Sequence, residues 1–347
     1  MIEVQNLTKR YGNHLAVSDL SFTIKPGKVY GLLGPNGAGK TTTMNIITGC
    51  LAASEGTVTV NGFDIFEQPK EAKSCIGYLP ESPPLYQDMI VKDYLSFIAG
   101  AKGVAKEKRE EQIAYAARVT GVDDVMERLI HNLSKGYKQR VGIAQALIGE
   151  AQEVILDEPT VGLDPKQIIE IRDLISRLGH QHTVILSSHI LSEVRAVCDE
   201  ILILSQGKLI AADTPERLES RFAPSSQVAM TVKTTKEKAS MILNGFAGVN
   251  GVTYETLVDD KLVMILDMAP GDSTVEERVA EAFAENRIPV LNMEQKKADL
   301  EAVFLELTKD DTDQSGEDGF PLPAAAEMEE TVPTDEAEKE DDDADHL

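Results

Sequence analysis

The chain has 347 residues, and its hydrophobic content of 42% is enough for one large or two ordinary packed domains. Its formal net charge is −24, of which residues 309–347 supply −14 through sixteen Asp or Glu and two Lys. Nucleic-acid binding is not expected of such an acidic chain, because neutralising phosphates requires clustered Lys and Arg.

Cysteine spacing and hydropathy indicate where the chain works. Cys50, Cys75 and Cys198 form no C-x-x-C pair, so we expect them to be small buried side chains in a reducing compartment. The N-terminus has no basic stretch followed by an apolar one, so no signal peptide is expected. No apolar run approaches the ~20 residues that a membrane helix needs. Any membrane span must therefore come from another chain.

The first 90 residues have the pattern of strands around a glycine-rich turn. Residues 2–33 alternate apolar and polar side chains, which predicts antiparallel strands that lead into a buried strand at 29–33. The elements predicted after it are a helix at 42–51 and strands at 56–60 and 76–79.

From residue 91 to about residue 150 the apolar residues recur with helical spacing, which predicts a mostly helical insertion. Strands alternating with helices then resume, which favours a parallel α/β sheet. The predicted strands are 154–156, 183–186, 201–204 and 208–211, and the predicted helices are 166–178 and 190–197.

A second unit is predicted at 224–308, with the β-α-β-β-α-β order of ferredoxin-like domains. Its predicted elements are strands at 227–233, 252–258, 261–267 and 288–294 and helices at 236–246, 274–286 and 298–308. Residues 309–347 are rich in Asp, Glu, Pro, Ala and Thr, and so little apolar content predicts a disordered acidic tail.

The segment Gly34–Thr41 reads G-x-x-x-x-G-K-T between the predicted strand and helix. Glycines let backbone N–H groups turn inward, and the start of a helix adds unpaired N–H groups and a positive dipole end. Lys40 is placed to reach the β- and γ-phosphates of a nucleotide, and the Thr41 hydroxyl to bind Mg²⁺. The alternative, a glycine-rich turn without chemistry, is disfavoured by the flanking strand and helix.

Two acids, Asp157 and Glu158, end the apolar strand at 154–156. A carboxylate at the carboxyl end of a strand beside a phosphate loop can hold Mg²⁺, which fits Asp157. Glu158 is placed to accept a proton from an attacking water. The alternative is an acidic pair that caps a helix, since Pro159 and Thr160 follow.

A further helix is predicted to begin after Ser134. Ser134 can cap this helix, and Gly136 leaves bare N–H groups at its start. Taken alone, this segment is equally typical of an ordinary helix N-cap.

In this order the motifs resemble those of the ATP-binding subunits of ABC transporters, over residues 2–220. The matches are the adenine-stacking aromatic (Tyr11), the Walker A loop (Gly34–Thr41), the signature (Leu133–Tyr137), the Walker B strand (Val154–Glu158), the D-loop (Gly162–Asp164) and the switch histidine (His189). So many motifs in one order are highly specific. The chain most resembles single-cassette ATPases paired with ABC-2-type export permeases, many of which carry a C-terminal extension comparable to 224–308.

The resemblance implies a P-loop NTPase core with an antiparallel β subdomain and a helical subdomain at about 83–150, all within 1–223. It also implies two ligands, ATP and Mg²⁺. The residues implied to contact nucleotide are Tyr11, Gly34, Asn36, Gly37, Ala38, Gly39, Lys40, Thr41 and Thr42, with Ser134 and Gly136 acting in trans. The implied metal ligands are Thr41, Asp157 and Glu81, and the implied catalytic residues are Lys40, Glu158, which polarises the water, and His189, which contacts the γ-phosphate.

Three positions depart from the family pattern. Lys135 and Tyr137 replace the second glycine and the glutamine of the signature, and Lys135 adds positive charge where a phosphate is expected. Glu81 stands where a glutamine is usual, and a carboxylate can approach Mg²⁺ but cannot donate a hydrogen bond. Glu81 is therefore either a metal ligand or a solvated loop acid.

With one Walker A loop and one signature per chain, the resemblance implies two subunits that close on ATP and reopen on hydrolysis. It also implies a polytopic membrane permease, a subunit held on the cytoplasmic face of the membrane through that permease, and export rather than import. A soluble ABC ATPase with a regulatory or mechanochemical role, and a non-catalytic regulatory subunit, remain as alternatives. The first would ordinarily carry long coiled coils or two cassettes, and the second would lack Lys40 or Glu158.

Overall fold

The computed structural model describes residues 1–222, 227–258, 261–268 and 274–296. The strands are β1 (Ile2–Tyr11), β2 (His14–Ile24), β3 (Val29–Leu33), β4 (Glu55–Val60), β5 (Phe63–Asp64), β6 (Ile76–Leu79), β7 (Glu153–Leu156), β8 (Thr183–Ser188), β9 (Glu200–Ser205), β10 (Lys208–Asp213), β11 (Gln227–Val232), β12 (Val249–Val258), β13 (Lys261–Met268) and β14 (Val290–Lys296). The helices are α1 (Lys40–Ile47), α2 (Pro69–Ser74), α3 (Val91–Ala101), α4 (Lys106–Thr120), α5 (Lys135–Leu147), α6 (Pro165–Gly179), α7 (Leu191–Val197), α8 (Pro215–Phe222), α9 (Lys236–Leu243) and α10 (Val275–Glu285).

A six-stranded sheet in the order β10-β9-β3-β8-β7-β6 forms the centre of the nucleotide core. Five of its strands are parallel, as predicted, and β10 pairs antiparallel with β9. The turn between β9 and β10 consists of Gln206 and Gly207, both with positive φ, which suits a tight hairpin. Because β3, β8 and β7 are neighbours, the loops at their carboxyl ends meet at one edge of the sheet.

Both faces of this sheet are covered, which explains why its strands read as unbroken apolar runs. Val154 and Leu156 of β7 pack into a cluster with the helices α3 to α6, whereas Ile155 packs on the opposite face. That opposite cluster includes α1 and a four-stranded antiparallel sheet in the order β2-β1-β4-β5. The predicted antiparallel strands in residues 2–33 and the helical insertion are thus confirmed.

The C-terminal unit has its own antiparallel sheet in the order β12-β13-β11-β14, which is the strand order of ferredoxin-like domains. Alternate residues of β11 and β13 are buried against α9 and α10, with Met230, Met264 and Phe283 at 0% exposure. The helix predicted at 298–308 and the acidic tail at 309–347 lie outside the described residues.

Several expectations were wrong in detail. The helix predicted at 42–51 begins at Lys40 and ends at Ile47, because Gly49 adopts the left-handed conformation (φ +68°) that stops a helix. This early end leaves Cys50 on an exposed loop, so the expectation of buried cysteines was wrong for Cys50, and Cys75 is half-buried. Only Cys198 is buried as expected, and burial raises the pKa of its thiol.

Two helices, α2 and α8, escaped prediction. Both begin at a proline. Proline suits the first helical position because an N–H group there has no partner within the helix, so its absence costs nothing.

Among the described residues, no helix has the length and apolar character required to cross a membrane.

Candidate active site

The loop between β3 and α1 has a backbone that only glycine accommodates at two positions. Gly39, with φ +97°, caps α1, and a β-carbon on it would lie 2.7 Å from the carbonyl oxygen of Ala16. A β-carbon on Gly34 would lie 2.5 Å from the carbonyl oxygen of Leu204. Asn36 and Gly37 are exposed at the tip of the loop, and Ala38 is buried beneath it. The first turn of α1 therefore presents its unpaired N–H groups to the surface.

Lys40 lies folded back across this loop and is 6% exposed. Its Nζ donates hydrogen bonds to the carbonyl oxygens of Gly34 at 2.9 Å and Pro35 at 3.2 Å. The same Nζ lies 3.5 Å from Oε1 of Glu158. One ammonium group thus connects the phosphate loop to the acid that follows β7.

Asp157 lies at the base of the site and is 1% exposed. Its Oδ1 accepts hydrogen bonds from Ser187 at 2.5 Å and from Thr41 at 3.4 Å. Its Oδ2 is buried and, within the described part of the chain, has no hydrogen-bond partner. Burial raises the pKa of Asp157, more than the hydrogen bonds from Ser187 and Thr41 lower it. An orphaned carboxylate oxygen beside a hydroxyl is a fitting place for a hard cation such as Mg²⁺.

Glu158 and His189 face each other across the loops after β7 and β8. His189 Nδ1 lies 3.0 Å from Oε2 of Glu158. Glu158 has φ +46°, a left-handed conformation that is strained for a residue with a β-carbon, and its N–H donates to Ser187 Oγ at 2.8 Å. The carboxylate is therefore held between a cation, Lys40, and an imidazole.

A cleft of about 470 Å³ brings most of the predicted residues together. Tyr11 borders it with half of its surface exposed, and Lys9 Nζ lies 5.3 Å from the centre of its ring. The predicted residues that line the cleft are Tyr11, Asn36, Gly37, Gly39, Lys40, Thr41, Thr42, Glu81, Glu158 and His189. Gly34, Ala38 and Asp157 lie buried around this cleft rather than on its wall.

Ser134 and Gly136 line a different cleft, of about 350 Å³, at the start of α5. Ser134 Oγ accepts a hydrogen bond from the N–H of Tyr137 at 3.4 Å, so the N-cap role is present. Lys135 extends to the D-loop, where a β-carbon on Gly162 would lie 2.2 Å from its Nζ. Tyr137 donates a hydrogen bond to Asp124 at 2.8 Å, which raises the pKa of its phenol.

Four residues of the site were not predicted. His14, Ala16 and Val161 line the larger cleft, and Ser187 contacts both acids that follow β7. His14 and Ala16 belong to β2, and their sequence gives no sign of this position. Ser187 had a usable signal, because it lies two residues before His189 at the carboxyl end of a strand next to β7.

Comparisons with known proteins agree with this arrangement. The sequence model of the ABC transporter family matches residues 17–161. The linearmycin resistance ATP-binding protein LnrL of Bacillus subtilis (strain 168) is 33% identical over 309 residues, or 89% of this chain and 98% of that protein. The bacitracin transport ATP-binding protein BcrA of Bacillus licheniformis is 31% identical over 88% of this chain and 97% of that protein. A solved ATP-binding subunit of an ABC transporter has a TM-score of 0.58 at 29% identity, covering 64% of this chain and 93% of that structure.

Proposed function

Because this chain belongs to the ATP-binding subunits of ABC transporters, we propose that it hydrolyses MgATP in sites shared by two copies and drives an ABC-2-type export permease. The observation that carries the proposal is the convergence of Lys40, Glu158 and His189 on one cleft, with Thr41 and Asp157 beneath it. Each of these residues supplies a different part of phosphoryl transfer to water.

The triphosphate binds on the loop before α1. N–H groups at the start of α1, together with Lys40, carry the positive charge that the phosphate oxygens need. Tyr11 stacks on the adenine at the open end of the cleft. These contacts position the nucleotide, and positioning is a large part of catalysis in phosphoryl transfer.

Thr41 and Asp157 are the residues that would hold Mg²⁺, with Glu81 at the cleft wall as a third oxygen ligand. Bound Mg²⁺ would neutralise charge on the phosphate oxygens. In the described residues, no cluster of three or more His, Cys, Asp or Glu side chains is arranged to hold a metal by itself. Mg²⁺ is usually bound through one or two carboxylates, here those of Asp157 and Glu81, and completes its shell with hydroxyl groups, water and substrate phosphates.

Glu158 acts as the base toward the attacking water. Its partners in the structure are Lys40 at 3.5 Å and His189 at 3.0 Å. When Lys40 moves to the triphosphate, one of these interactions is lost, and the carboxylate becomes a better proton acceptor. His189 then stabilises the charge that develops on the γ-phosphate.

Ser134 and Gly136 complete the site of a second copy. They start α5 in a cleft of their own, so they serve a nucleotide held by another subunit. Lys135, which replaces a glycine of the family signature, adds a positive charge to that surface. Each ATP is thus enclosed only when two chains close on it.

The partner we propose is a polytopic membrane permease of the ABC-2 type, which would hold this chain at the cytoplasmic face of the membrane. Two relatives that this chain matches over 98% and 97% of their length are named for linearmycin resistance and bacitracin transport, which supports export. The units at 1–223 and 224–308 would divide the work. The first would perform hydrolysis, and the second, which has its own core, would brace the dimer.

Turnover of ATP by the purified full-length chain tests the proposal. Glu158→Gln is expected to lower kcat by about 100-fold or more, because a general base contributes roughly that much. Glu107→Gln, which neutralises an exposed acid on α4, is the matched control and is expected to leave kcat unchanged. Full turnover by Glu158→Gln would overturn the proposed role of this residue.

A further inference from the structure

Glu193 is a buried acid that the proposed chemistry does not use. It lies in the first turn of α7 and is 5% exposed. Its Oε2 accepts hydrogen bonds from the hydroxyl groups of Thr160, in the loop after β7, at 2.5 Å and of Ser188, the last residue of β8, at 3.2 Å. A buried carboxylate is costly unless it is hydrogen-bonded, so these two bonds are a condition for its presence there. The loop after β7 and the end of β8 are thus fastened to one oxygen atom.

These hydrogen bonds close a ring around the catalytic pair. Thr160 lies two residues after Glu158, and Ser188 directly precedes His189. The ring runs from Glu158 along the chain to Thr160, through Glu193 to Ser188 and His189, and returns by the 3.0 Å contact between His189 and Glu158. Glu193 therefore lies opposite that contact and sets how far apart its two loops stand.

The backbone conformation of Glu158 is strained, and the ring of hydrogen bonds helps to hold it. A left-handed φ of +46° is unfavourable for a residue with a β-carbon, such as Glu158. Such conformations persist only where the surroundings hold them. Ser187 holds Glu158 through its N–H, and Glu193 holds the same turn two residues later, at Thr160.

We infer that Glu193 is a positioning residue for ATP hydrolysis, which fixes the separation of Glu158 and His189 by fastening Thr160 and Ser188 to one carboxylate oxygen. The inference rests on the proposed function. Glu193 acts through its hydrogen bonds to Thr160 and Ser188, and it does not line the cleft of the phosphate site. Its loss is therefore expected to lower kcat while leaving ATP binding nearly intact.

Three variants of the full-length chain test this inference. Glu193→Leu keeps the size of the side chain but accepts no hydrogen bond, whereas Glu193→Gln keeps an oxygen that can accept from both hydroxyls. Thr120→Val is the matched control, because it removes a buried hydroxyl that bonds to Ala116 O at 2.8 Å in α4, away from the cleft. The readouts are kcat and KM for ATP, ATP affinity and thermal stability.

Glu193→Leu is expected to lower kcat by about 10- to 100-fold, as small displacements of catalytic groups do, with KM and ATP affinity within about threefold of the unaltered chain. Glu193→Gln should recover most of kcat, and Thr120→Val should retain all of it. If Glu193→Leu turned over as fast as Thr120→Val, or if Glu193→Gln were as slow as Glu193→Leu, the inference would be overturned.

The double variant Thr160→Val/Ser188→Ala provides an independent route should Glu193→Leu fail to fold. It removes both donors and should reproduce the selective loss of kcat, and full kcat in this variant would contradict the inference. The proposed function is checked in the same assay by Glu158→Gln. Loss of turnover in Glu158→Gln together with normal turnover in Glu193→Leu would remove only the role of Glu193. Normal turnover in Glu158→Gln would remove the proposed role of Glu158 itself.

Discussion

Lys40 Nζ lies 3.5 Å from Oε1 of Glu158, and the two side chains are only 6% and 9% exposed. Each neutralises the other in surroundings that screen charge poorly. This contact joins the residue proposed to bind the triphosphate to the residue proposed to accept the proton. A triphosphate competes for Lys40, so nucleotide binding and activation of the base are expected to be linked.

Strong energetic coupling between Lys40 and Glu158 follows from this contact. In the nucleotide-free chain, Lys40→Met and Glu158→Gln should each lower the free energy of unfolding, because each takes the opposite charge away from a buried partner 3.5 Å distant. The double variant should recover part of that loss, with a coupling energy of about 1–3 kcal/mol. Urea unfolding of the four chains measures it.

The exposed pair Lys92 and Glu127 provides the control for this cycle, since their side chains are 60% and 73% exposed at a similar separation of 3.2 Å. Lys92→Met and Glu127→Gln should combine almost additively, because solvent screens exposed pairs. Equal coupling in the two cycles would show that burial does not strengthen the Lys40–Glu158 contact.

Replacing the Asp157 carboxylate by a neutral amide should change stability and activity in opposite directions. Burial raises its pKa in the folded chain, so its charged form costs stability at any pH above that raised pKa, and the cost disappears as the carboxyl takes up a proton on acidification. Asp157→Asn is therefore expected to raise the melting temperature of the nucleotide-free chain at neutral pH, with a gain that shrinks toward acidic pH. The same substitution should lower Mg²⁺-dependent turnover by about 100-fold or more.

Thermal unfolding at several pH values and a Mg²⁺ titration of turnover check this prediction. Asp64→Asn is a suitable control, since Asp64 lies in β5, away from the cleft. A drop in melting temperature for Asp157→Asn without nucleotide, or full turnover with Mg²⁺, would contradict it.

Replacing Gly39 by alanine should lower stability and ATP affinity far more than the same replacement of Gly62, a glycine with a similar φ in open space. Gly39→Ala adds a β-carbon 2.7 Å from Ala16 O, whereas Gly62, with φ +86°, has no atom within 4 Å of that position. Both alanines bear the cost of a left-handed backbone, about 1–2 kcal/mol. Only Gly39→Ala should shift the loop, lower stability further and weaken ATP binding. Equal stability and equal ATP affinity of the two variants would rule out the steric argument.

Much of the site was predictable because its motifs are local. Gly34–Thr41 encodes a turn and a helix start within eight residues, and Asp157 and Glu158 directly follow a buried strand. Once the strands are taken as parallel neighbours, these loops must meet at one edge of the sheet. The motifs therefore predicted most of the residues that line the cleft, although not His14, Ala16 or Val161.

What escaped prediction depends on contacts between distant segments. The bonds from Thr160 and Ser188 to Glu193 join residues up to 33 positions apart, and no periodicity indicates them. The strained φ of Glu158 could not be predicted from the sequence either, since glutamate rarely adopts a left-handed conformation. Helix ends failed for a simpler reason. Leu51 continued the apolar spacing of α1, but Gly49 had already ended that helix.

The mass of the Glu158→Gln chain with and without ATP, measured by light scattering, tests most directly whether the site is shared by two chains. Bound ATP that is not hydrolysed should hold two subunits together. The mass is expected to rise from 37.8 kDa, that of one chain, to twice that value on adding ATP. Glu158→Gln/Ser134→Glu, which places a negative charge where the partner's phosphates would lie, should bind ATP and remain at the mass of one chain. A Glu158→Gln chain that binds ATP without turnover and yet stays at the mass of one chain would contradict the account.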